Sequence, residues 1–243
     1  PSGIALRYTL DRLRIVRVLT DLLPEGLLEL AGRTPIQSAY LDPETLSTKE
    51  RRFLLDLAER NATQNIERVV QRAQRSGAEV IEQVDVSRQD DLDKLHSQLG
   101  GRTINVVINN AGIMRKNSLD DLNFDQIREQ FEVNAIGPLR VVATLKANLK
   151  EGSKVGLVTS RMGSIGDNDS GGSYGYRMSK TALNAAGKSL AVDLKKHGIA
   201  VALLHPGWVN TEMVNFNGLI EPEEAAAGLQ ARMDELNLEN SGG

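Results

Sequence analysis

The chain has 243 residues, 40% of them hydrophobic and 25% charged, which is ordinary for a globular protein and enough to bury one full α/β core. A formal net charge of −3 offers no electrostatic case for nucleic acid or an anionic membrane surface. With no cysteine there is no disulfide, thiolate catalysis or cysteine zinc site, and His96, His197 and His205 are too scattered to suggest a metal.

Leu10, Leu13, Val16, Leu19, Leu22 and Leu23 recur at helix-like spacing, with Arg7, Arg14 and Arg17 available for a polar face. They predict an amphipathic helix. A charged helical stretch follows from Asp42 to about Asn61, and Ile66 to Arg75 form an amphipathic helix ended by Gly77. Ala78 to Val84 read as a strand, Asp90 to Leu99 as a helix capped by Gly100-Gly101, and Ile104 to Ile108 as a strand. Phe124 to Leu149 form a long helix, Val155 to Ser160 a strand, Gly175 to His197 a helix ended by Gly198, and Ile199 to Leu204 the last clear strand. Apolar strands alternating with helices predict a parallel sheet covered on both faces, the doubly wound α/β class. Active residues of such sheets sit beyond the carboxyl ends of strands, where Asn109, Ser160 and His205 fall. No repeat, low-complexity tract or linker divides the chain, so residues 1–243 are expected to form one domain.

Tyr176 and Lys180 stand four residues apart, and Ser160 closes an upstream apolar run. At i and i+4 on a helix, the phenol and the ammonium share one face. A phenol titrates near ~10, and a neighbouring cation favours the phenolate, which brings Tyr176 toward acid/base work at neutral pH. Ser160 can then hold a substrate carbonyl oxygen beside the phenol. Alone, this spacing is more often a solvated Tyr/Lys face. Four further segments accompany it in a fixed order: Val106 to Gly112, a buried strand running into Asn109-Asn110-Ala111-Gly112; Asn134 to Gly137 inside a helix; Lys154 to Ser160; and His205 to Thr211. Singly, each has a plain structural reading: Asn109 and Asn110 as strand-end residues, Gly137-Pro138 as a helix irregularity, Trp208 as packing.

Jointly, residues 79–240 resemble the short-chain dehydrogenase/reductases. The likeness is strongest to the carbonyl-reductase and C-factor-like branch, whose members carry a similar Gly-Tyr-Arg-x-Ser-Lys-x-Ala-Leu-Asn run, here Gly175 to Asn184. The resemblance implies a Rossmann-like fold and an NAD(P)(H)-dependent exchange between a small-molecule carbonyl and its alcohol. It implies that Tyr176 is the general acid or base, and that Lys180 lowers its pKa and meets the nicotinamide ribose. Ser160 would orient the carbonyl, and Asn134 would hold a water linking Lys180 to solvent. Asp85 and Val86 would border the adenine, Asn109, Ala111 and Gly112 the ribose, and Pro206, Gly207, Val209 and Thr211 the nicotinamide carboxamide. Charges such as Arg33, Arg60 or Asp42, which would choose between NADP(H) and NAD(H), cannot be placed in register, and the C-factor-like resemblance favours NADP(H) slightly. Homo-oligomerisation is compatible with the family. The loops Asp167 to Ser173 and Val214 to Ile220 are expected to set substrate choice, with Met162, Trp208 and Met213 as candidate pocket residues.

Two departures stand out. The family's strand–Thr-Gly-x-x-x-Gly-x-Gly–helix signature is absent: with Thr20 in the threonine place, the glycine positions fall on Asp21, Glu25 and Leu27, and Gly26 is one place off. Side chains there would fill the pyrophosphate's volume and carboxylates would repel it, a loss of several kcal/mol, roughly a hundredfold or worse in affinity. The first βα unit is therefore in question. The last edge strand is too, since the chain stops after Leu236 to Gly243, an arrangement expected to leave a sheet edge open. Three readings stay open: a working oxidoreductase, a non-catalytic relative serving as a binding or signalling module, and a chain altered or truncated at its ends. The chain has no long apolar span and no signal-peptide pattern, and Asp11, Asp21 and Glu25 argue against a transit peptide, so the expected location is the cytoplasm.

Overall fold

The computed structural model describes residues 4–5, 79–214 and 217–243, and the chain falls into two compact units, residues 1–82 and 83–243. In the first, β1 (Ile4–Ala5) pairs in parallel with β2 (Glu79–Val80), Ile4 opposite Glu79 and Ala5 opposite Val80. β2 is shorter than the strand expected over Ala78 to Val84. The amphipathic Leu10 to Leu23 segment, the helices expected over 42–61 and 66–75, and the Thr20 frame with Asp21, Glu25 and Leu27 lie outside the described residues.

The second unit opens with α1 (Gln89–Leu99). Asp90 and Asp91 sit in its first turn, where the helix dipole favours negative charge, and Gly100 ends it at φ +57 with its N–H on the His96 carbonyl. β3 (Ile104–Asn109) follows, then α2 (Phe124–Phe131), whose Asn123 cap accepts from the Asp125 and Gln126 N–H groups. The single helix expected over Phe124 to Leu149 is broken by a π turn at Glu132–Ile136 before α3 (Gly137–Leu145) and a short 3₁₀ turn at Lys146–Asn148. Pro138 has no N–H to give the Asn134 carbonyl, and the Gly137 N–H reaches back five residues to Glu132. Gly137 also has no room for a side chain, since a Cβ there would come within 2.9 Å of Val86.

β4 (Leu149–Val158) begins earlier than the sequence suggests. It pairs Leu149 with Ile104, turns aside through Gly152 at φ +85, and resumes at Lys154 opposite Val106. α4 (Tyr174–Lys195), β5 (Ala200–Leu204) and α5 (Pro222–Glu235) complete the unit. The sequence reading missed α5, although Pro222 at the helix start with Glu223 and Glu224 beside it is a standard opening signal. The sheet order is β3-β4-β5, all parallel, with Leu157 opposite Asn109 on one side and Leu203 on the other.

Val106 and Ile108 of β3 are exposed, whereas helices pack on both faces of β4 and β5. On one, Ala200, Ala202 and Leu204 pack with Met233 and Leu236 from α5 and the residue after it. On the other, α4 lies so close that a Cβ on Gly187 would run into Leu157 and Leu203. The edge expected to lie open is partly paired: the Gly242 N–H bonds the Val201 carbonyl at 2.8 Å, and the Leu203 N–H bonds the Gly243 carbonyl at 3.0 Å. Ser241 adds a side-chain bond from the Val201 N–H. Unpaired strand edges attract further strands, and these three residues occupy this one.

Gly187 sets how near α4 sits to the sheet. Gly187→Val should destabilise the protein by about 2 kcal/mol through overpacking, read as a lower midpoint in urea with the slope unchanged.

Candidate active site

Ser160 lies two residues beyond β4, Tyr176 in the first turn of α4, and Lys180 one turn later. The sequence therefore places a hydroxyl, a phenol and an ammonium at the carboxyl end of one strand and the start of one helix. Ser160 caps the 3₁₀ turn Arg161–Gly163, its Oγ accepting from the Met162 N–H at 3.2 Å. Tyr176 and Lys180 are both buried, 8% and 4% exposed. The Lys180 Nζ lies 5.8 Å from the centre of the Tyr176 ring and donates to the Val158 carbonyl at 2.8 Å. The turn is pinned to α4 by Thr181 Oγ1 and Asn184 Nδ2 donating to the Gly163 carbonyl, and Gly163 lies too close to the Lys180 backbone for any larger residue.

Burial decides the electrostatics. It raises the Tyr176 pKa, with a hydrogen bond to Ser160 working the other way, and it lowers Lys180 from 10.5 to about 8. The expectation of a net lowered Tyr176 pKa is corrected here: burial is the largest influence and the net direction is upward. Taking both groups from water favours the neutral form of each, and the nearest partner of Lys180 is the Val158 carbonyl rather than the phenol oxygen. At neutral pH the site thus holds a protonated phenol beside a mostly charged lysine.

Asn134 is fully buried in the π turn. Its Oδ1 accepts from the Ile113 N–H at 2.8 Å, and its Nδ2 donates to the Ile113 carbonyl at 2.8 Å and to Ser179 Oγ at 3.0 Å. Ser179 Oγ in turn donates to the Tyr176 carbonyl at 2.9 Å. The side-chain amide thus ties the loop after β3 to the turn of α4 that carries Tyr176 and Lys180. Ser179 was quoted in the sequence run without a role; only its hydroxyl between the two catalytic candidates hinted at one. Gln130 was missed altogether. Buried in α2, it accepts from the Arg115 N–H at 2.8 Å and packs its amide against Gly175, fixing the same loop and the same helix start.

Gly112 runs over the lysine: a Cβ there would lie 3.4 Å from Asn134 Oδ1 and 3.6 Å from Lys180 Nζ. Asn109 ends β3 with its Nδ2 buried and without a partner among the described residues, and Ala111 is half-buried beside it. A donor without an acceptor, a backbone passage with no side chain and a lysine bonded to one carbonyl fit the ribose end of a nicotinamide cofactor. Asp85 is engaged locally, its Oδ1 accepting from the Ser87 N–H at 2.8 Å and from Ser87 Oγ at 2.7 Å, while Val86 is buried against Gly137. Pro206, Gly207, Val209 and Thr211 line a loop that folds on itself: Val209 bridges Ile220, and the Asn210 N–H bonds the Ile220 carbonyl at 2.8 Å. Of the expected pocket residues, Met162 and Met213 are half-buried, whereas Trp208 is 54% exposed. Among the described residues, no cluster of His, Asp or Glu could hold a metal, and no helix is long and apolar enough to cross a membrane.

A family model described as enoyl-(acyl carrier protein) reductase matches residues 51–235. The chain is 46% identical over 165 residues to 1-hydroxy-2-glutathionyl-2-methyl-3-butene dehydrogenase of Rhodococcus sp. (strain AD45), covering 65% of this chain and 73% of that one. It is 42% identical over 142 residues to C-signal of Myxococcus xanthus, covering 57% and 86%. Among solved structures, a Burkholderia multivorans protein assigned to the short-chain dehydrogenase/reductases, with NADP bound, superposes with a TM-score of 0.65 at 26% identity, covering 70% of this chain and 74% of that one.

The lowered Lys180 pKa makes stability depend on pH. Between about pH 8 and 10.5 the unfolded chain keeps a proton that the native lysine has lost, so native stability rises with pH across that window. Urea titrations of native protein and of Lys180→Met at pH about 7.5 and about 10 should differ in this rise by on the order of 2 kcal/mol, the variant lacking it.

Proposed function

This chain belongs to the short-chain dehydrogenase/reductase family, and from that membership we propose that it is an NAD(P)(H)-dependent oxidoreductase interconverting an alcohol and a carbonyl. The observation that carries the reading is the trio Ser160, Tyr176 and Lys180, with Ser160 half-buried and the phenol and lysine buried on a turn that Asn134 holds through Ser179. A non-catalytic role would require none of these polar groups to be buried together, and burial without function is costly.

In the reductive direction, Ser160 Oγ donates to the carbonyl oxygen and fixes it beside the phenol. Tyr176 then delivers its proton to that oxygen, forming the alcohol. The phenolate left behind is stabilised by the Lys180 ammonium, which is buried beside it. A nicotinamide cofactor, when bound, would supply the hydride chemistry at the carbonyl carbon in either direction. Asn109, Gly112 and Lys180 are the residues that would hold its ribose, with Pro206, Gly207, Val209 and Thr211 at the carboxamide and Asp85 and Val86 at the adenine. NADP(H) is slightly preferred over NAD(H) in this reading on the C-factor-like resemblance alone, while the NADP in the Burkholderia structure supports use of a nicotinamide cofactor in general. The Rhodococcus relative is named for a hydroxy compound carrying a glutathionyl group, which makes glutathione conjugates the first substrates to assay.

Tyr176→Phe should lower turnover by at least a thousandfold while the protein keeps its fold by circular dichroism; unchanged turnover would sink the mechanism. Because the phenol must be protonated for reduction and ionised for oxidation, kcat/KM for alcohol oxidation should climb with pH above about 8 and reduction should not. Titration with NADPH and NADH, followed by nicotinamide fluorescence and quench of Trp208, tests the missing glycines directly. Saturation at micromolar cofactor is the expected result. No binding at millimolar cofactor would strand the trio without a hydride source.

A further inference from the structure

Each hydroxyl that faces the substrate oxygen is followed in the chain by an arginine: Ser160 by Arg161, Tyr176 by Arg177. Both arginines turn toward Asp167. Arg161 grips its carboxylate with two nitrogens, Nε on one oxygen and Nη2 on the other at 2.9 Å. The charge of Arg177 acts on the same carboxylate, and its Nη2 donates to Ser170 Oγ at 2.8 Å while its buried Nε has no partner. Arg161 also faces Asp169, and its charge reaches His205 at the end of β5. It therefore stands between the loops that leave β4 and β5, next to the catalytic serine. His205 titrates too low to add a second cation there at neutral pH, burial and Arg161 both holding it below its ordinary value.

Asp167 sits on a short segment bounded by Gly166 on one side and by Gly171 and Gly172, both at φ +62, on the other. The ion pair is solvent-exposed on the arginine side, 72% against 35% for the aspartate. Exposed pairs of this kind contribute little to stability, so another carboxylate can take the place of Asp167 at small cost. A guanidinium fork presents two parallel donors that match a carboxylate and discriminate it from a neutral group.

Resting on the oxidoreductase reading above, we propose that Arg161, with Arg177 beside it, reads a carboxylate on the substrate, and that Asp167 occupies the fork until that carboxylate displaces it. The substrate class is then a carbonyl or alcohol that carries an acid group away from the reacting carbon. Arg161 is a specificity-determining residue in this scheme, and Asp167 is an internal competitor.

The two roles predict opposite changes. Reduction of S-acetonylglutathione and of its dimethyl ester gives an acid-over-ester ratio of kcat/KM. Arg161→Met should lower that ratio about tenfold or more, and Asp167→Asn should raise it several-fold. A latch that only fastens the loop would instead make both variants lose activity on both compounds together, and that result overturns the proposal. If both compounds turn over in a Tyr176-dependent manner with the same ratio in native protein and Arg161→Met, the proposal fails and the oxidoreductase reading stands. If neither compound turns over, binding of S-methylglutathione decides, followed by quench of Trp208, the single tryptophan. A tenfold or larger weakening in Arg161→Met supports the proposal, and equal affinity overturns it.

Discussion

The amide of Asn134 joins two parts of the chain that would otherwise be free to drift apart. It satisfies both backbone groups of Ile113, on the loop leaving β3, and reaches Ser179 on α4. In a buried site each of those groups would cost roughly 1–3 kcal/mol if left unpaired, so the clamp is held by more than one bond at a time. Everything catalytic hangs from it. Ile113 fixes where Gly112 passes over Lys180, and Ser179 fixes the turn that separates Tyr176 from Lys180. The π turn serves the same end. Pro138 denies the Asn134 carbonyl its usual helical donor, and the extra residue in the turn shifts the register of the helix at Asn134.

Glycines then set the depth of the site. Gly175 lets α4 start against Gln130 and Ile127, Gly163 lets the serine turn lie on the Lys180 backbone, and Gly187 lets the helix settle on Leu157 and Leu203. Three close approaches along one helix place Tyr176 and Lys180 deeper than a helix with ordinary side chains would. Depth is what shifts their pKa values, so packing and electrostatics are one problem here.

Much of this was legible in the sequence, for specific reasons. Helix starts, glycine stops and apolar runs located α1, β3, α4 and β5 within a few residues, because those signals are local. The trio was legible because Tyr176 and Lys180 are one helical turn apart and Ser160 ends a strand. The comparisons bear out the family and its fold class. What could not be read depends on partners far away in the chain. The clamp between Asn134 and Ile113 was not legible, because nothing local shows that Ile113 would present both backbone groups to that side chain. The direction of the Tyr176 shift was misjudged because spacing gives the distance to a cation but not the loss of solvent. The pairing of residues 241–243 with β5 could not be inferred from a segment with so little apolar character.

Burial of both partners explains how the pair can serve two directions. A phenol alone in a dry site resists ionisation, and an amine alone resists protonation, so each shift taken singly works against the charged intermediate. Together the two charges compensate each other, because the Lys180 Nζ lies 5.8 Å from the centre of the Tyr176 ring and both side chains are buried. The charge-separated state is therefore disfavoured until a proton leaves Tyr176 for a substrate oxygen, when the lysine is already in place. Ser160 biases the phenol slightly toward release through its hydrogen bond, and that bond is the one a substrate oxygen must share. In the proposed reaction, proton delivery would thereby be coupled to the arrival of an oxygen at Ser160, with burial keeping the acid protonated in its absence.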